Sequence, residues 1–243
     1  MKIKKVINRY FNKNQYASNT ERLNPLKLKE FSPELIRVMN LLIYTKNSNV
    51  SYSGGEFNTG YHTFDIDGHQ FKGQRNPKMR LEDIPFSFDN LSVLDIGCNQ
   101  GGMLYELSNR IKFGVGVDYD SRMINVANKM KSHCKLNNLD YFVFDLEKEN
   151  LDYLSDFLPE NKVDVVFLLS ICMWVQNWKE VVAKIPTISR KLIFESNGKP
   201  EQQQEQIDEL KKHYKTVQLI REKSTDDASQ KNRQLFYCTN EEG

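Results

Sequence analysis

The chain has 243 residues, of which 39% are hydrophobic and 27% charged, and its formal net charge is +2. This composition is typical of a folded globular protein and excludes a long disordered chain. No apolar run approaches the roughly 18 residues of a membrane-spanning helix, and no apolar segment of signal-peptide type follows the basic start, so we expect a cytoplasmic protein without a membrane span.

Residues 1–50 are strongly basic. They contain ten Lys and Arg against three Asp and Glu, a local charge of about +7. Such a segment could bind phosphate or an anionic surface, or it could form the solvated face of a helix. Ser32, followed by Pro33 and Glu34, predicts the N-cap and first turn of a helix with apolar periodicity up to Leu42.

The next segment, residues 61–73, predicts a β-hairpin whose two-residue turn is Asp67-Gly68. The expected register has three pairs: Ile66 with His69, Phe64 with Phe71, and His62 with Gly73. One face of the hairpin then combines apolar side chains with two imidazoles. Among these, His62 could reach a pocket as a general base near neutral pH, or it could be an ordinary core residue.

After the hairpin comes a short basic stretch, residues 73–81. Its arginines could bind a phosphate or carboxylate on a substrate, or close a cofactor site. The substrate-binding candidates from this part of the chain are Tyr61, His69, Arg75 and Arg80.

From Ser92 onward, predicted strands and helices alternate, which indicates a parallel sheet covered on both sides. The expected strands are 92–96, 113–117, 141–144, 163–169 and 190–195, and the expected helices are 101–110, 121–133, 148–157, 177–186 and 200–213. Two last strands, 216–220 and 234–238, have no helix between them and should pair antiparallel at the edge of the sheet.

The first of these strands carries a glycine-containing turn. It contains Asp95 and runs through Gly97, Asn99 and Gly101 into a helix. We expect free backbone N–H groups and a helix N-terminus here, beside a nucleotide-like ligand.

Acidic residues follow the next two strands. Asp118 lies about twenty residues after Gly97, where a carboxylate can accept both hydroxyls of a ribose. Asp145 lies close enough in sheet order to meet an adenine amino group. Alternatively, either residue is a helix cap or a turn residue.

The details of the turn distinguish two ligand classes. Asn99 replaces the second glycine of the dinucleotide-binding G-x-G-x-x-G loop and would crowd a pyrophosphate. Asp95, two positions before Gly97, would suit a positively charged cofactor tail. The pattern therefore favours a cationic nucleoside over a nicotinamide dinucleotide.

Three segments resemble the motifs of the class I S-adenosylmethionine (SAM)-dependent methyltransferases. Val93–Gly102 is similar to the first motif, Gly114–Asp120 to the second and Phe144–Leu146 to the third, within a resemblance of about 150 residues from Ser92 to Cys238. The resemblance implies SAM as cofactor and a Rossmann-like, doubly wound α/β sheet, mostly parallel with an antiparallel C-terminal edge strand. We expect residues 1–88 to form a helical and β-hairpin cap, and residues 89–243 the SAM-binding core.

The resemblance also implies roles for individual residues. Asp95 and Gly97 would face the methionine part of SAM, Asp118 the ribose and Asp145 the adenine, with Tyr119 against the adenine ring. The remaining expected cofactor contacts are Cys98, Asn99, Gly101, Leu146 and Ser170.

The last two parallel strands supply candidates on the acceptor side, because ligands bind beyond the carboxyl ends of such strands. Ser170 to Trp174 should flank the methyl group, and Trp174 could stack on an acceptor or cover the seam between helix and sheet. Glu195 could remove a proton from the acceptor, anchor a cationic substrate or cap the following helix. The segment lacks the Asn/Asp-Pro-Pro-Tyr/Phe motif of enzymes that methylate amino groups of DNA and protein.

These features predict methyl transfer to an oxygen or nitrogen of a small polar metabolite, such as a sugar, a phosphorylated metabolite or a natural-product intermediate. The cap is too short for a dedicated nucleic-acid domain, and we expect no metal. The alternatives are an RNA methyltransferase that uses the basic N-terminus, a SAM-binding partner module without turnover, and a nicotinamide oxidoreductase. The sequence does not indicate an oligomeric state.

Overall fold

The computed structural model describes residues 31–46, 60–226 and 232–241. Most of the basic segment 1–50 lies outside these residues, and its described part is the helix α1, Pro33–Lys46. The predicted N-cap is confirmed, since the Leu35 amide donates to Ser32 Oγ at 3.1 Å.

A small hairpin precedes the main sheet. It consists of β1, Phe64–Ile66, and β2, His69–Phe71, and is followed by the short helix α2, Pro77–Leu81.

The main sheet has seven strands in the order β5-β4-β3-β6-β7-β9-β8. Their bounds are β3 Ser92–Ile96, β4 Phe113–Asp118, β5 Leu139–Val143, β6 Val165–Leu169, β7 Lys191–Glu195, β8 Thr216–Arg221 and β9 Leu235–Thr239. Strands β3 to β7 are parallel, whereas β9 is antiparallel to both of its neighbours. The predicted fold class is confirmed, with the detail that antiparallel β9 lies between β7 and the outermost strand β8.

Helices cover both faces of the sheet. They are α3 Gly102–Leu107, α4 Ser121–Cys134, α5 Trp178–Ile188 and α6 Pro200–His213, with 3₁₀ helices at Leu151–Phe157 and Cys172–Trp174. Every residue of β6 is apolar and buried, as expected for a central parallel strand covered on both faces.

The hairpin packs on the main domain through an apolar cluster of its own. Phe64, Ile66 and Phe71 are buried together with residues of α1 and with Val126 and Met130 of α4. This cluster therefore joins the hairpin and α1 to the main domain through one side of α4.

The hairpin register is confirmed for its two inner pairs, Ile66 with His69 and Phe64 with Phe71. The third predicted pair is wrong, because His62 pairs with Arg75 instead of Gly73. The chain turns back at Gly73, so close to the other strand that a Cβ atom there would lie 2.2 Å from the backbone carbonyl carbon of His62.

The tip of the hairpin lies far from the carboxyl edge of the sheet. His133, near the C-terminal end of α4, contacts Asp67 with 2.8 Å between Nε2 and Oδ2. The helix has 14 residues, a length of about 20 Å, and its N-terminal end follows Asp118. His69 beside the tip is exposed and meets the edge of the Phe31 ring.

Within the described part of the chain, no helix combines the length and the apolar character that crossing a membrane requires.

We predict that Phe64→Ala destabilises the whole described domain by about 3–5 kcal/mol, the usual cost of deleting a buried aromatic ring. Phe64 is buried, with its ring centroid 5.4 Å from that of Tyr105 on α3. Urea unfolding should keep a single transition with a lower midpoint. Tyr153→Ala, at an exposed aromatic residue, should change stability by less than about 0.5 kcal/mol. A separate early transition in Phe64→Ala, with an unchanged main one, would show that the hairpin folds independently of the core.

Candidate functional site

The carboxyl ends of the five parallel strands form one edge of the sheet. In spatial order, this edge carries Asp145, Asp118, Asp95, Ser170 and Glu195. The topology thus brings together acidic and polar residues that are spread over a hundred positions of the chain.

The loop between β3 and α3 differs from the expectation of free backbone N–H groups. Each amide from Gly97 to Gly102 has an acceptor inside the protein: Gly97 and Cys98 donate to Val117 O, Asn99 to Asp118 Oδ2, Gln100 to Asn99 Oδ1, Gly101 to Cys98 O and Gly102 to His62 Nδ1. The expectation of free N–H groups is therefore wrong for these six residues, and it stays an expectation for the first turn of α3 beyond Gly102. Because the six loop amides are bound within the protein, they do not hold a pyrophosphate in the way that dinucleotide-binding loops do, which argues against a nicotinamide cofactor.

Asn99 has a φ of +51°, a left-handed conformation that asparagine adopts more readily than most residues. Its Oδ1 accepts the Gln100 amide at 2.9 Å. The departure from glycine at this position is therefore compatible with a tight turn.

Cys98 lies beneath the loop, not on its open side. Its Sγ would be 2.9 Å from a Cβ added to Gly116 of β4, and burial raises the pKa of its thiol well above the usual value. Only the backbone of Cys98 is on the ligand side of this arrangement.

Asp95 is 2% exposed, and its Oδ2 accepts no hydrogen bond within the described residues. Burial raises the pKa of this carboxyl to about 7; Asp118 adds to the rise and Arg80 opposes it. A buried carboxylate without a partner is costly. Asp95 is therefore suited to receive a positively charged group of a ligand.

Asp118 is also buried, and burial raises its pKa to about 6. Its two oxygens each accept one amide at 2.9 Å, from Asn99 and from Asp120. Each carboxylate oxygen can accept a further hydrogen bond, so a pair of ligand hydroxyls can still bind. The neighbouring Tyr119 is 70% exposed, which leaves its ring open to a planar ligand.

Asp145 has the local role of a turn residue. Its carboxylate accepts the Glu147 amide and the Lys148 Nζ, and the hydrogen bond from Lys148 lowers its pKa. Leu146 is buried, and its carbonyl accepts Asn177 Nδ2 at 2.7 Å. This bond ties the loop after β5 to the loop after β6.

On the other half of the edge, five charged side chains form what we call the arginine cluster: Arg75, Arg80, Arg233, Glu195 and Asp226. Glu195 Oε1 is 2.7 Å from Arg75 Nη2, and its Oε2 is 2.8 Å from Arg80 Nη2. Arg75 also binds Asp226, with 2.7 Å between Nε and Oδ2. Arg75 and Arg80 are buried, which fits the second expected role of this stretch, closing a site, better than the first, binding an anionic group of a substrate.

These contacts change the expected role of Glu195. Burial favours its neutral form, but Arg80 and Arg75 outweigh burial and lower the pKa to about 2. A carboxylate this acidic is a poor general base near neutral pH. Nor does it cap α6, whose N-cap residue is Lys199.

His62 is buried, and its ring lies against the loop after β3. Its Nδ1 accepts the Gly102 amide at 3.3 Å, and a Cβ on Gly102 would be 2.4 Å from the ring. Burial, followed by Arg80 and Arg75, lowers the pKa of the imidazole well below its usual value. Because Nδ1 is the acceptor, the neutral ring carries its proton on Nε2. His62 is therefore better suited to donate a hydrogen bond than to act as a general base.

Ser170 ends β6 with a φ of +63° and is buried. Its Oγ donates to Glu195 Oε2 and accepts from Arg233 Nη1, the latter at 3.0 Å. Trp174, at the end of the following 3₁₀ helix, is 68% exposed. It does not cover the seam between helix and sheet and leaves its ring available for stacking.

The two other substrate candidates are Tyr61, which lies near this edge, and His69, which lies far from it. Tyr61 is next to it, with its ring 4.7 Å from that of His62. His69 lies at the hairpin tip with His133, away from the other predicted site residues.

Sequence reasoning missed three members of the site: Gln100, Asp226 and Arg233. Gln100 accepts the His62 amide and donates to Thr45, which links the loop to α1. The predicted antiparallel pairing contained a signal for Arg233. Because β9 runs opposite to β7, its start at Leu235 pairs with Glu195, and residues just before it reach the carboxyl edge.

Among the residues that the structure describes, no three His, Cys, Asp or Glu side chains converge in a way that could hold a metal ion.

Comparison with known sequences identifies the family. Residues 87–237 match the model of a methyltransferase domain. The protein 235L of Invertebrate iridescent virus 6, named as a methyltransferase, is 32% identical over 90 residues, which are 36% of this chain and 29% of that protein. A probable cobalt-precorrin-6B C(15)-methyltransferase (decarboxylating) of Methanococcus maripaludis is 26% identical over 117 residues, covering 42% of this chain and 64% of the relative. The matches thus span about a third to two thirds of the length of these relatives.

Solved structures share the fold. WbdD, a bifunctional kinase-methyltransferase, superposes with a TM-score of 0.57 at 20% identity, over 82% of this chain and 47% of WbdD. The N-terminal domain of EvdMO1, crystallised with SAH and D-fucose, gives a TM-score of 0.56 at 11% identity, over 81% of this chain and 93% of that domain. With the matched domain covering most of the sheet and the whole cofactor edge, the chain belongs to the class I SAM-dependent methyltransferases.

Proposed function

We propose that the protein transfers a methyl group from SAM to an oxygen or nitrogen atom of a small polar acceptor. The observation that supports this most is the buried carboxylate of Asp95, whose Oδ2 accepts no hydrogen bond within the described residues. It lies beside a loop whose amides from Gly97 to Gly102 all have acceptors inside the protein. This combination suits a cofactor with a positive charge and no phosphate.

The residues along the edge fit SAM. Asp95 would hold the methionine part, whose ammonium group is positive, and Asp118 would accept the ribose hydroxyls. Asp145 and the exposed ring of Tyr119 would lie at the adenine. When bound, SAM supplies an electrophilic methyl group on a positively charged sulfur.

On the acceptor side, the chain's own residues favour orientation of the acceptor over removal of its proton. Glu195 stays ionised with a pKa of about 2, and neutral His62 donates from Nε2. Ser170 is fixed by Glu195 and Arg233. Alignment of the reacting atoms is a large part of catalysis in a displacement of this kind, so an acceptor whose reacting atom is already nucleophilic suits the site best.

The size of the acceptor is the least constrained part of the proposal. The matched precorrin methyltransferase acts, by its name, at a carbon atom of a small molecule. This supports a small acceptor but not the choice of oxygen or nitrogen. An RNA acceptor stays the alternative because of the charge of residues 1–50, of which residues 1–30 lie outside the described structure.

The general test is incubation of the full chain with labelled SAM and fractionated pools of small molecules and RNA. We expect label in polar small molecules. Label in RNA alone would favour the alternative acceptor, and tight SAM binding without transfer to any pool would indicate a module without turnover.

We predict that SAM binding weakens as the pH falls through 7. The carboxyl of Asp95 has a raised pKa of about 7, and a cation binds only its ionised form. Below that pH the affinity should therefore fall by up to about tenfold per pH unit, and above it the affinity should level off. Titration calorimetry between pH 5.5 and 8.5 measures this, and Asp118, with a pKa of about 6, adds to the loss at the acidic end.

Asp95→Asn should weaken SAM binding at pH 8 by about 10- to 100-fold, the loss of a charge-assisted contact, and should flatten the pH dependence around 7. The control is Asp140→Asn, at an exposed aspartate of β5 paired with Lys131, which should bind as the wild type does. If Asp95→Asn keeps both the affinity and the slope, the methionine part is not at Asp95.

We also predict an order of effects for the other two carboxylates. Asp118→Ala should lose most of the SAM affinity, because a buried carboxylate that holds two hydroxyls contributes about 2–3 kcal/mol. Asp145→Ala should lose less, since Asp145 is more exposed and already pairs with Lys148. If Asp118→Ala and the wild type bind SAM with equal affinity, the ribose does not bind at Asp118.

A further inference from the structure

We propose that the methyl acceptor carries an anionic group, a carboxylate or a phosphate, and that Arg233 binds it beside Ser170 at the carboxyl end of β6. This inference rests on the proposed methyl transfer and narrows its substrate class.

The first argument is the charge balance of the arginine cluster. It contains three guanidinium groups and two carboxylates, and the arginines hold the pKa values of both Glu195 and Asp226 at about 2 against the effect of burial. Both acids are ionised near neutral pH, so the three positive and two negative charges of these five described residues leave one positive charge. His62 does not add to it, because its imidazole is neutral.

The carboxylates on the cofactor side do not pair with these arginines. Asp118 accepts the amides of Asn99 and Asp120, and Asp95 Oδ2 accepts no hydrogen bond within the described residues. One positive charge of the arginine cluster is therefore without a paired carboxylate among these residues. Such a charge is costly away from water unless an anion neutralises it.

The second argument concerns which arginine is available. Arg75 and Arg80 are 0% and 3% exposed and bind carboxylates at 2.7–2.8 Å, whereas Arg233 has a 12% exposed side chain. Its Nη1 is 3.8 Å from Glu195 Oε2, too far for a hydrogen bond, and among the described residues its contact within hydrogen-bond distance is Ser170 Oγ at 3.0 Å. A guanidinium has five N–H donors, so Arg233 has donors to spare.

The cluster as a whole lacks acceptors. Within the described residues, one buried nitrogen of each arginine has no hydrogen-bond partner: Arg75 Nη1, Arg80 Nε and Arg233 Nε. Burial lowers the pKa of Arg233, and the nearby Arg75 and Arg80 add to this effect. An anion on Arg233 would supply both the missing negative charge and missing acceptor atoms.

The position suits an acceptor. β6 is the neighbour of β3, with Leu168 opposite Ile96, and adjacent strands are about 4.8 Å apart. Asp95 is opposite Phe167, and Ser170 is three residues further along, so an anionic group beside Ser170 lies roughly 11 Å from Asp95, within the span of a small molecule. Guanidinium groups bind carboxylate and phosphate through paired hydrogen bonds, which would fix the orientation of the acceptor.

The test uses inorganic phosphate and acetate as probes, titrated at constant ionic strength into the full chain saturated with SAH. Arg233→Gln should weaken the binding of the better probe by about tenfold or more, as expected for loss of a charge-assisted contact, and Arg233→Lys should retain part of it. The matched control is Arg110→Gln, at an exposed arginine paired with Asp89, which should leave probe binding unchanged. SAH affinity close to that of the wild type would show that the Gln variant is folded.

Equal probe affinity in the wild type and Arg233→Gln would overturn the inference. A second measurement does not depend on any variant: the labelled products of methyl transfer are separated on an anion exchanger. Label in the retained small molecules supports an anionic acceptor. Label only in neutral or cationic small molecules overturns it but leaves methyl transfer intact, whereas absence of label from every pool contradicts the proposed function itself.

Discussion

The carboxylate of Glu195 joins the segment after the hairpin and the helix α2 to the carboxyl edge of the main sheet. It ends β7 and binds Arg75 from the segment after the hairpin, Arg80 from α2 and Ser170 from the end of β6, while Arg233 approaches from the start of β9. Removal of one partner from a buried ion pair costs about 3–5 kcal/mol, because the other charge stays in a medium that solvates it poorly. The arrangement of the arginine cluster around the end of β7 therefore depends on this one group.

Two buried acids on the same edge have opposite electrostatic environments. Glu195 is surrounded by guanidinium groups and has a pKa of about 2, whereas Asp95 is desolvated without a full partner and has a pKa of about 7. The first charge is used by the protein and the second is available to a ligand. Under the proposed function, a positively charged methyl donor would bind on the Asp95 half of the edge, and an anionic acceptor would bind beside the arginine cluster.

The sequence predicted the parts of this structure that depend on local pattern. The apolar run at Val165–Leu169 and the acidic residues after successive strands follow directly from strand geometry, and so does the antiparallel pairing of the last two strands. What the sequence could not show is which partner each polar group finds. The amides of Gly97 and Gly102 are used by Val117 and His62, and the acidity of Glu195 is set by arginines more than a hundred residues away. For Arg233 the information was present, since antiparallel β9 had to begin beside Glu195.

The place of β9 between β7 and β8 has a consequence for the order in which the protein assembles. Its two neighbours, β7 and β8, are synthesised before β9, and β8 is joined to the rest of the sheet through β9. In addition, Asp226 binds Arg75, which is 151 positions earlier in the chain. Contacts so distant along the chain close late, because their loop entropy is the largest to overcome. A nascent chain on the ribosome can therefore pair β3, β4 and β5 first, and the arginine cluster forms only after the last strand has been synthesised and inserted.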